Sequence, residues 1–192
     1  MSPRPAPDLD LRRDQIARAA RTVAEAEGWD AVTMRRLAAE IGVTQPVIYS
    51  AFAGGRQALL DAVALEGFSA IAQALEAVDP VPMARMRAYL EFAESQPRVY
   101  EAMFSAPTGL PFGHRATPPP LRRAFAAIAD AFPGADTTMA EVAWATVHGL
   151  ATLTISERLR ASHAAERLDL ACRMLTDPFH EPGGRAGGDG SS

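Results

Sequence analysis

Residues 33–52, Thr-Met-Arg-Arg-Leu-Ala-Ala-Glu-Ile-Gly-Val-Thr-Gln-Pro-Val-Ile-Tyr-Ser-Ala-Phe, read as two short helices joined by a tight turn. In a helix-turn-helix the helices cross steeply, so the first must present a small residue where the second approaches, and Ala38 falls there. Gly42 follows four residues later, where the chain must turn through a left-handed conformation that glycine adopts at little cost. Leu37, Ile41, Val43 and Ile48 supply apolar contacts between the two helices. Thr33 and Thr44 each stand just before a helix, where a hydroxyl oxygen can accept from free backbone N–H groups. The second helix, Gln45–Phe52, is polar with an aromatic tip, a surface suited to a DNA groove. The plain alternative for such spacing in an Ala-rich chain is an ordinary helical hairpin.

Outward from this stretch the pattern stays helical. Towards the N-terminus, Ile16, Ala19, Ala20, Val23 and Ala24 recur at helical spacing across Leu11–Glu27, with Gly28 as C-cap and Trp29 and Val32 closing a three-helix core. On the other side, Arg56–Val78 carries Leu60, Val63, Ala64, Phe68, Ile71, Leu75 and Val78 as a stripe long enough to leave one domain and enter another. Further helices are predicted over Met83–Ser95, Pro97–Ala106, Leu121–Phe132 (stopped by Pro133-Gly134), Asp136–Leu159 and Ser162–Thr176. No strand pattern or internal repeat occurs. The expected fold is all-α, about nine helices. It divides into an arm (1–10, expected disordered), a DNA-binding domain (11–56), an effector and dimerisation domain (57–178) and a Gly-rich tail (179–192, expected disordered). Between Pro107 and Pro120 lie five prolines and two glycines, a loop expected to cover a cavity entrance or to be a mobile connection.

Composition narrows the function. The chain has 192 residues and one cysteine, Cys172, which excludes an intrachain disulfide and suits a reducing, cytoplasmic home. No signal-length apolar run opens it, and no membrane partner is expected. All basic residues are arginine. Residues 1–56 hold eight Arg against seven acidic residues, and the remainder eleven against sixteen, so any DNA contact depends on where individual arginines point rather than on bulk charge.

From Arg13 to Phe68 the chain resembles the TetR family of bacterial transcriptional regulators. The resemblance rests on Gln15-Ile-Ala-Arg-Ala-Ala20, Glu27-Gly-Trp-Asp-Ala-Val-Thr-Met-Arg-Arg-Leu-Ala-Ala-Glu-Ile-Gly-Val43, Val47-Ile-Tyr-Ser-Ala-Phe52 and Ala58-Leu-Leu-Asp-Ala-Val63. It implies a homodimeric regulator, most simply a repressor released from a palindromic double-stranded DNA operator by a small hydrophobic effector. The implied DNA contacts are Thr33, Arg35, Thr44, Gln45, Pro46, Val47, Tyr49 and Ser50. Gln45 can pair with adenine, Val47 can touch a thymine methyl, and Tyr49 can donate to a phosphate. Two departures matter. Ala51 stands where the family often has His, and the phosphate-clamping Lys is missing, with Arg56 one residue late as its replacement.

The run Trp144-Ala-Thr-Val-His-Gly149 is similar to the Trp…His-Gly signature of one TetR subgroup. The eighth helix is apolar over more than half its circumference, with Met139, Val142, Leu150 and Leu153 on one side and Trp144, His148, Ala151 and Ile155 about 140° away. Ala145, Gly149, Thr152 and Ser156 leave room for a neighbouring helix. With Leu153 and the stripe Ala164, Leu168, Ala171 and Leu175, they predict a dimer interface built from the last two helices. By resemblance, the effector pocket draws on Phe68, Phe92, Tyr100, Met103, Phe104, Trp144 and His148. The competing readings are a dimeric DNA binder without effector and a helical enzyme using His148. The four histidines show no metal-ligand spacing and no nucleophile motif is present, so neither a catalytic residue, a metal nor a cofactor is expected.

Overall fold

The computed structural model describes residues 9–104, 110–112, 115–132 and 136–177. Residues 1–8 of the expected arm, 107–109 and 113–114 of the 107–120 stretch, Pro133-Gly134 and the chain from 178 onward lie outside the described residues. Among the described residues are nine α-helices and no strand: α1 Leu9–Glu27, α2 Met34–Glu40, α3 Gln45–Ala51, α4 Gly55–Glu76, α5 Pro82–Ser95, α6 Pro97–Phe104, α7 Pro119–Ala129, α8 Thr137–Ile155 and α9 Ala164–Thr176. Short 3-10 turns at Trp29–Ala31 and Ala161–His163 precede α2 and α9. Leu9 and Asp10, expected in the arm, already belong to α1. The eighth helix ends at Ile155 rather than Leu159, where Ser156 and Glu157 turn and Glu157 takes a φ of 55°.

The α2–α3 corner forms for local reasons. Thr33 caps α2, its hydroxyl accepting from Arg36 N at 3.1 Å. At the other end Val43 N bonds back to Ala38 O (2.9 Å) and Gly42 N to Ala39 O (3.3 Å), the 6→1 and 5→2 pair that needs a left-handed residue, and Gly42 has φ +69°. Thr44 has the extended backbone of an N-cap, though its side chain makes no cap bond.

Two apolar cores stack along α4. Ile16, Leu37, Ile48, Phe52, Leu59, Leu60 and Val63 fill the first, with Trp29 and Ala102 of α6. The second begins at the next residue, Ala64, and takes Phe68, Ile71, Leu75, Met86, Tyr89, Phe92, Met103, Ile128, Val147 and Cys172 from α4–α9. The first core therefore runs past residue 56 to Val63. By length and composition alone α4 could cross a bilayer, although it carries the charged residues Arg56, Asp61, Glu66 and Glu76. In the fold, its apolar side chains fill both cores. α4 and α6 touch closely: a Cβ added at Gly67 would stand 2.6 Å from Met103 Sδ and 2.8 Å from Val99 Cγ1, so the position admits only glycine without repacking.

Candidate nucleic-acid interface and ligand cavity

α3 buries Ile48 and Ala51 and turns Gln45, Pro46, Tyr49 and Ser50 outward, with Thr44 exposed just ahead of it and Val47 half-buried. Arg13 of α1 holds its far end, Nε donating to Ala51 O at 2.9 Å. Sequence reasoning missed this positioning residue, because no local pattern links an α1 side chain to a carbonyl 38 residues away. The Ser50 hydroxyl donates to Val47 O at 2.9 Å, leaving its lone pairs outward.

The arginines divide into free and occupied. Arg36 forks onto Glu27 (2.7 and 3.3 Å) and lies beside Glu40, while exposed Arg35 has no bond to any described residue. Arg56, expected to clamp a phosphate, instead gives Nη2 to Trp29 O at 2.9 Å and Nε to Val32 O at 3.4 Å. Its guanidinium ties the start of α4 to the turn before α2.

The second unit holds a half-open cavity of about 660 Å³, within the range of small-molecule sites. Phe68, Phe104 and Trp144 of the expected set line it. The others do not: Met103 packs on Gly67, Phe92 is buried in the core, and Tyr100 and His148 form a layer behind the wall. The lining residues that were missed come chiefly from α7, whose Leu121, Ala124, Phe125 and Ile128 form one helical stripe, and from Tyr89 and Phe112. That stripe is visible in the sequence, but not which neighbour it faces. Thr137, Glu141 and Arg122 are the exposed polar groups of the lining, and Arg122 Nη1 donates to Thr117 O at 2.6 Å.

The aromatic walls are braced from behind. Trp144 Nε1 donates to Tyr89 Oη (3.3 Å), Tyr89 and Tyr100 share a hydrogen bond of 3.0 Å, and Tyr100 Oη lies 2.7 Å from His148 Nδ1. Burial pushes the Tyr89 hydroxyl up to about 12, raises Tyr100 as well, and lowers His148. All three are therefore neutral near pH 7, and the network hands the cavity hydrogen-bonding atoms but no charge. The hydrogen-bond partner of His148 Nδ1 is thus the Tyr100 hydroxyl, a neutral group rather than a carboxylate. No cluster of three or more His, Cys, Asp or Glu among the described residues could hold a metal.

The outward faces of α8 and α9 differ from expectation. Leu168 is buried in its own subunit's core, Ala171 and Leu175 pack against that core, and Ala145 faces the cavity lining. The large apolar side chains left exposed are Val142, Leu153, Leu170 and Met174. At a period of 3.6, residues 142, 149 and 153 share a side of α8, and 170 and 174 a side of α9.

The cavity and the reading surface are joined. Glu25 of α1 accepts from Arg98 N (3.1 Å) and Val99 N (3.3 Å), capping α6 from the first unit, and Trp29 Nε1 donates to Arg98 O at 2.8 Å. At the other end of α6 stands Phe104, in the cavity wall.

Residues 16–63 match the family model described as bacterial regulatory proteins, tetR family, and residues 83–177 match a tetracyclin repressor-like C-terminal domain. Among solved structures, a protein of unknown function from Rhodococcus sp. RHA1 is 25% identical, with a TM-score of 0.67 over 90% of this chain and 95% of that one. A bacterial regulatory protein in the tetR family from Rhodococcus RHA1 is 22% identical, with a TM-score of 0.60 over 85% and 96%. A TetR-family transcriptional regulator from Streptomyces coelicolor is 19% identical, with a TM-score of 0.52 over 85% and 91%. The last two likenesses speak for the fold alone. No curated protein matches the sequence.

Proposed function

The chain has the all-α fold and both domains of a TetR-family transcriptional regulator, and on that premise we propose that it is a cytoplasmic, homodimeric repressor released from a palindromic operator by a small hydrophobic effector. The observation that carries this reading is α6, whose N-terminus is bonded to α1 and the Trp29 turn while its last residue lines the cavity. A ligand that displaces Phe104 pulls on the unit holding α3. The Trp144, His148 and Gly149 positions favour the subgroup with that signature, since the first two brace or form the cavity wall.

Gln45 is assigned to bases, and Thr33, Arg35, Thr44, Pro46, Val47, Tyr49 and Ser50 to the groove and its phosphates. Arg56 supports this surface from behind. For the dimer, the exposed Val142, Thr152 and Leu153 of α8 with Leu170 and Met174 of α9 form the contact. Gly149 lies among them, where an added Cβ would meet nothing within its own subunit. A stable interface there needs about 1,000 Å² or more.

Selection of random-sequence DNA on the purified protein should return a two-fold palindrome, and light scattering should give a dimer mass. Arg35→Ala should lower the log–log salt slope by roughly 0.9 for each phosphate the dimer no longer neutralises, whereas Arg56→Ala should leave the slope unchanged. Hydrophobic compounds that occupy the cavity should weaken DNA binding, and Trp144→Ala should remove that effect. A monomer mass, or an asymmetric selected site, overturns the dimeric reading. Ligand binding that leaves DNA affinity unchanged returns the protein to the effector-free alternative.

A further inference from the structure

Arg85, in α5, is only 6% exposed, and its Nε and Nη1 are buried with no hydrogen-bond partner. A guanidinium does not deprotonate in a protein, so this is a permanent charge held inside the fold with no carboxylate hydrogen-bonded at these two nitrogens. Glu76, the last residue of α4, lies where α4 hands over to α5 and packs against it. Both its oxygens are taken by Arg123 of α7: Nε donates to Oε1 at 2.6 Å and Nη2 to Oε2. The Arg123 hydrogen bond holds the Glu76 carboxyl below the usual range, and the charge of Arg85 pulls in the same direction.

These three groups sit on the helices that wall the cavity. Arg123 follows Arg122 and precedes Ala124 and Phe125, all in the lining, while Phe68 and Ile71 of α4 face them. The Arg123–Glu76 pair is half-exposed at both ends, the kind of pair that water weakens. We propose that Arg85 is a second carboxylate site for Glu76, which leaves Arg123 for Arg85 when a ligand in the cavity pushes α7 outward. This rests on the effector reading above and adds to it the ion pair that responds. The exchange needs a rotamer change in Glu76 and gives the two buried nitrogens a carboxylate partner. The ligand-bound arrangement of α4, α5 and α7 thereby becomes a distinct state rather than a strained version of the free one.

The decisive comparison needs no ligand. In the wild-type background Arg85 Nε and Nη1 are buried without a hydrogen bond, so Arg85→Met should leave the urea midpoint unchanged or raise it. In an Arg123→Met background Glu76 is released to Arg85, and there Arg85→Met, or Glu76→Gln as a companion variant, should lower the midpoint. Equal losses in both backgrounds make Arg85 a structural residue and overturn the exchange. Coupling to the cavity is read with Nile red, a neutral dye. Its affinity should fall about tenfold in Arg85→Met, the lower part of the range for coupled sites, and should vanish in Trp144→Ala. Unchanged dye affinity in Arg85→Met overturns the coupling. A wild-type protein that binds no dye counts against the cavity as a hydrophobic site, while the urea comparison still decides the exchange.

Discussion

The two cores of this chain are built from the same materials, alanine-rich helices with Leu, Ile, Val and Phe, yet they close differently. Around Leu37 and Ile48 apolar side chains pack on one another, and polar side chains such as Thr33, Arg13 and Arg56 bond to the backbone at helix ends and turns. Around Trp144 large rings meet edge to face instead, Phe68 with Phe104 at 5.3 Å and Phe125 with Trp144 at 5.9 Å, and leave a void, with a buried hydroxyl chain behind it. Small branched side chains interlock and fix one arrangement. Rings held on short helices fill space less completely and can be re-seated. One unit is suited to presenting a fixed surface and the other to changing shape.

The sharpest way to break this contrast is to empty each core. Ile48→Ala should cost about 2–5 kcal/mol in urea unfolding and abolish DNA binding, because nothing around it can collapse. Phe104→Ala should cost less than a buried Phe normally does, because its neighbours already border a void; equal losses would end the distinction. Next in size, Gly67→Ala forces a methyl against Met103 and Val99 where α4 meets α6. About 1–3 kcal/mol should be lost, and a second substitution, Met103→Ala, should recover part of it. Tyr89→Phe removes the hydroxyl between Trp144 and Tyr100, for about 0.5–1.5 kcal/mol and no change in DNA affinity without ligand.

The smallest effect is in pH. Burial lowers His148, so the unfolded chain binds its proton more readily than the folded one. Stability should be full above the ordinary histidine value of about 6.5, decline as pH falls from there towards the lowered folded value, and stay reduced below it. Urea midpoints at pH 7.5 and 5.5 should differ less in His148→Asn than in wild type.

What the sequence could announce follows from the distances involved. Thr33, Ala38 and Gly42 act on partners within a few residues, so their spacing carries the helix-turn-helix almost whole. The cavity depends on which side of α7 meets α4, fifty residues earlier, and an apolar stripe such as Leu121, Ala124 and Ile128 looks the same whether it meets a helix or a void. α9 shows the same ambiguity: the regular stripe through Leu168 and Leu175 turned inward, and the irregular Leu170 and Met174 stayed outside. Arg56 was legible as a cation near the right place, but a guanidinium's partners are set by which carbonyls lie within reach, here those of Trp29 and Val32.

α4 belongs to both cores, changing allegiance between Val63 and Ala64 with no break in its hydrogen bonding. Neither unit can therefore melt while the other stays whole, because losing one half of α4 frays the end that anchors the other. The two tryptophans happen to report on this separately, Trp29 from the first core and Trp144 from the cavity wall. Single-tryptophan variants made with Trp29→Phe and Trp144→Phe should unfold at matching denaturant concentrations once each is referred to its own stability, and one circular-dichroism transition should run through both.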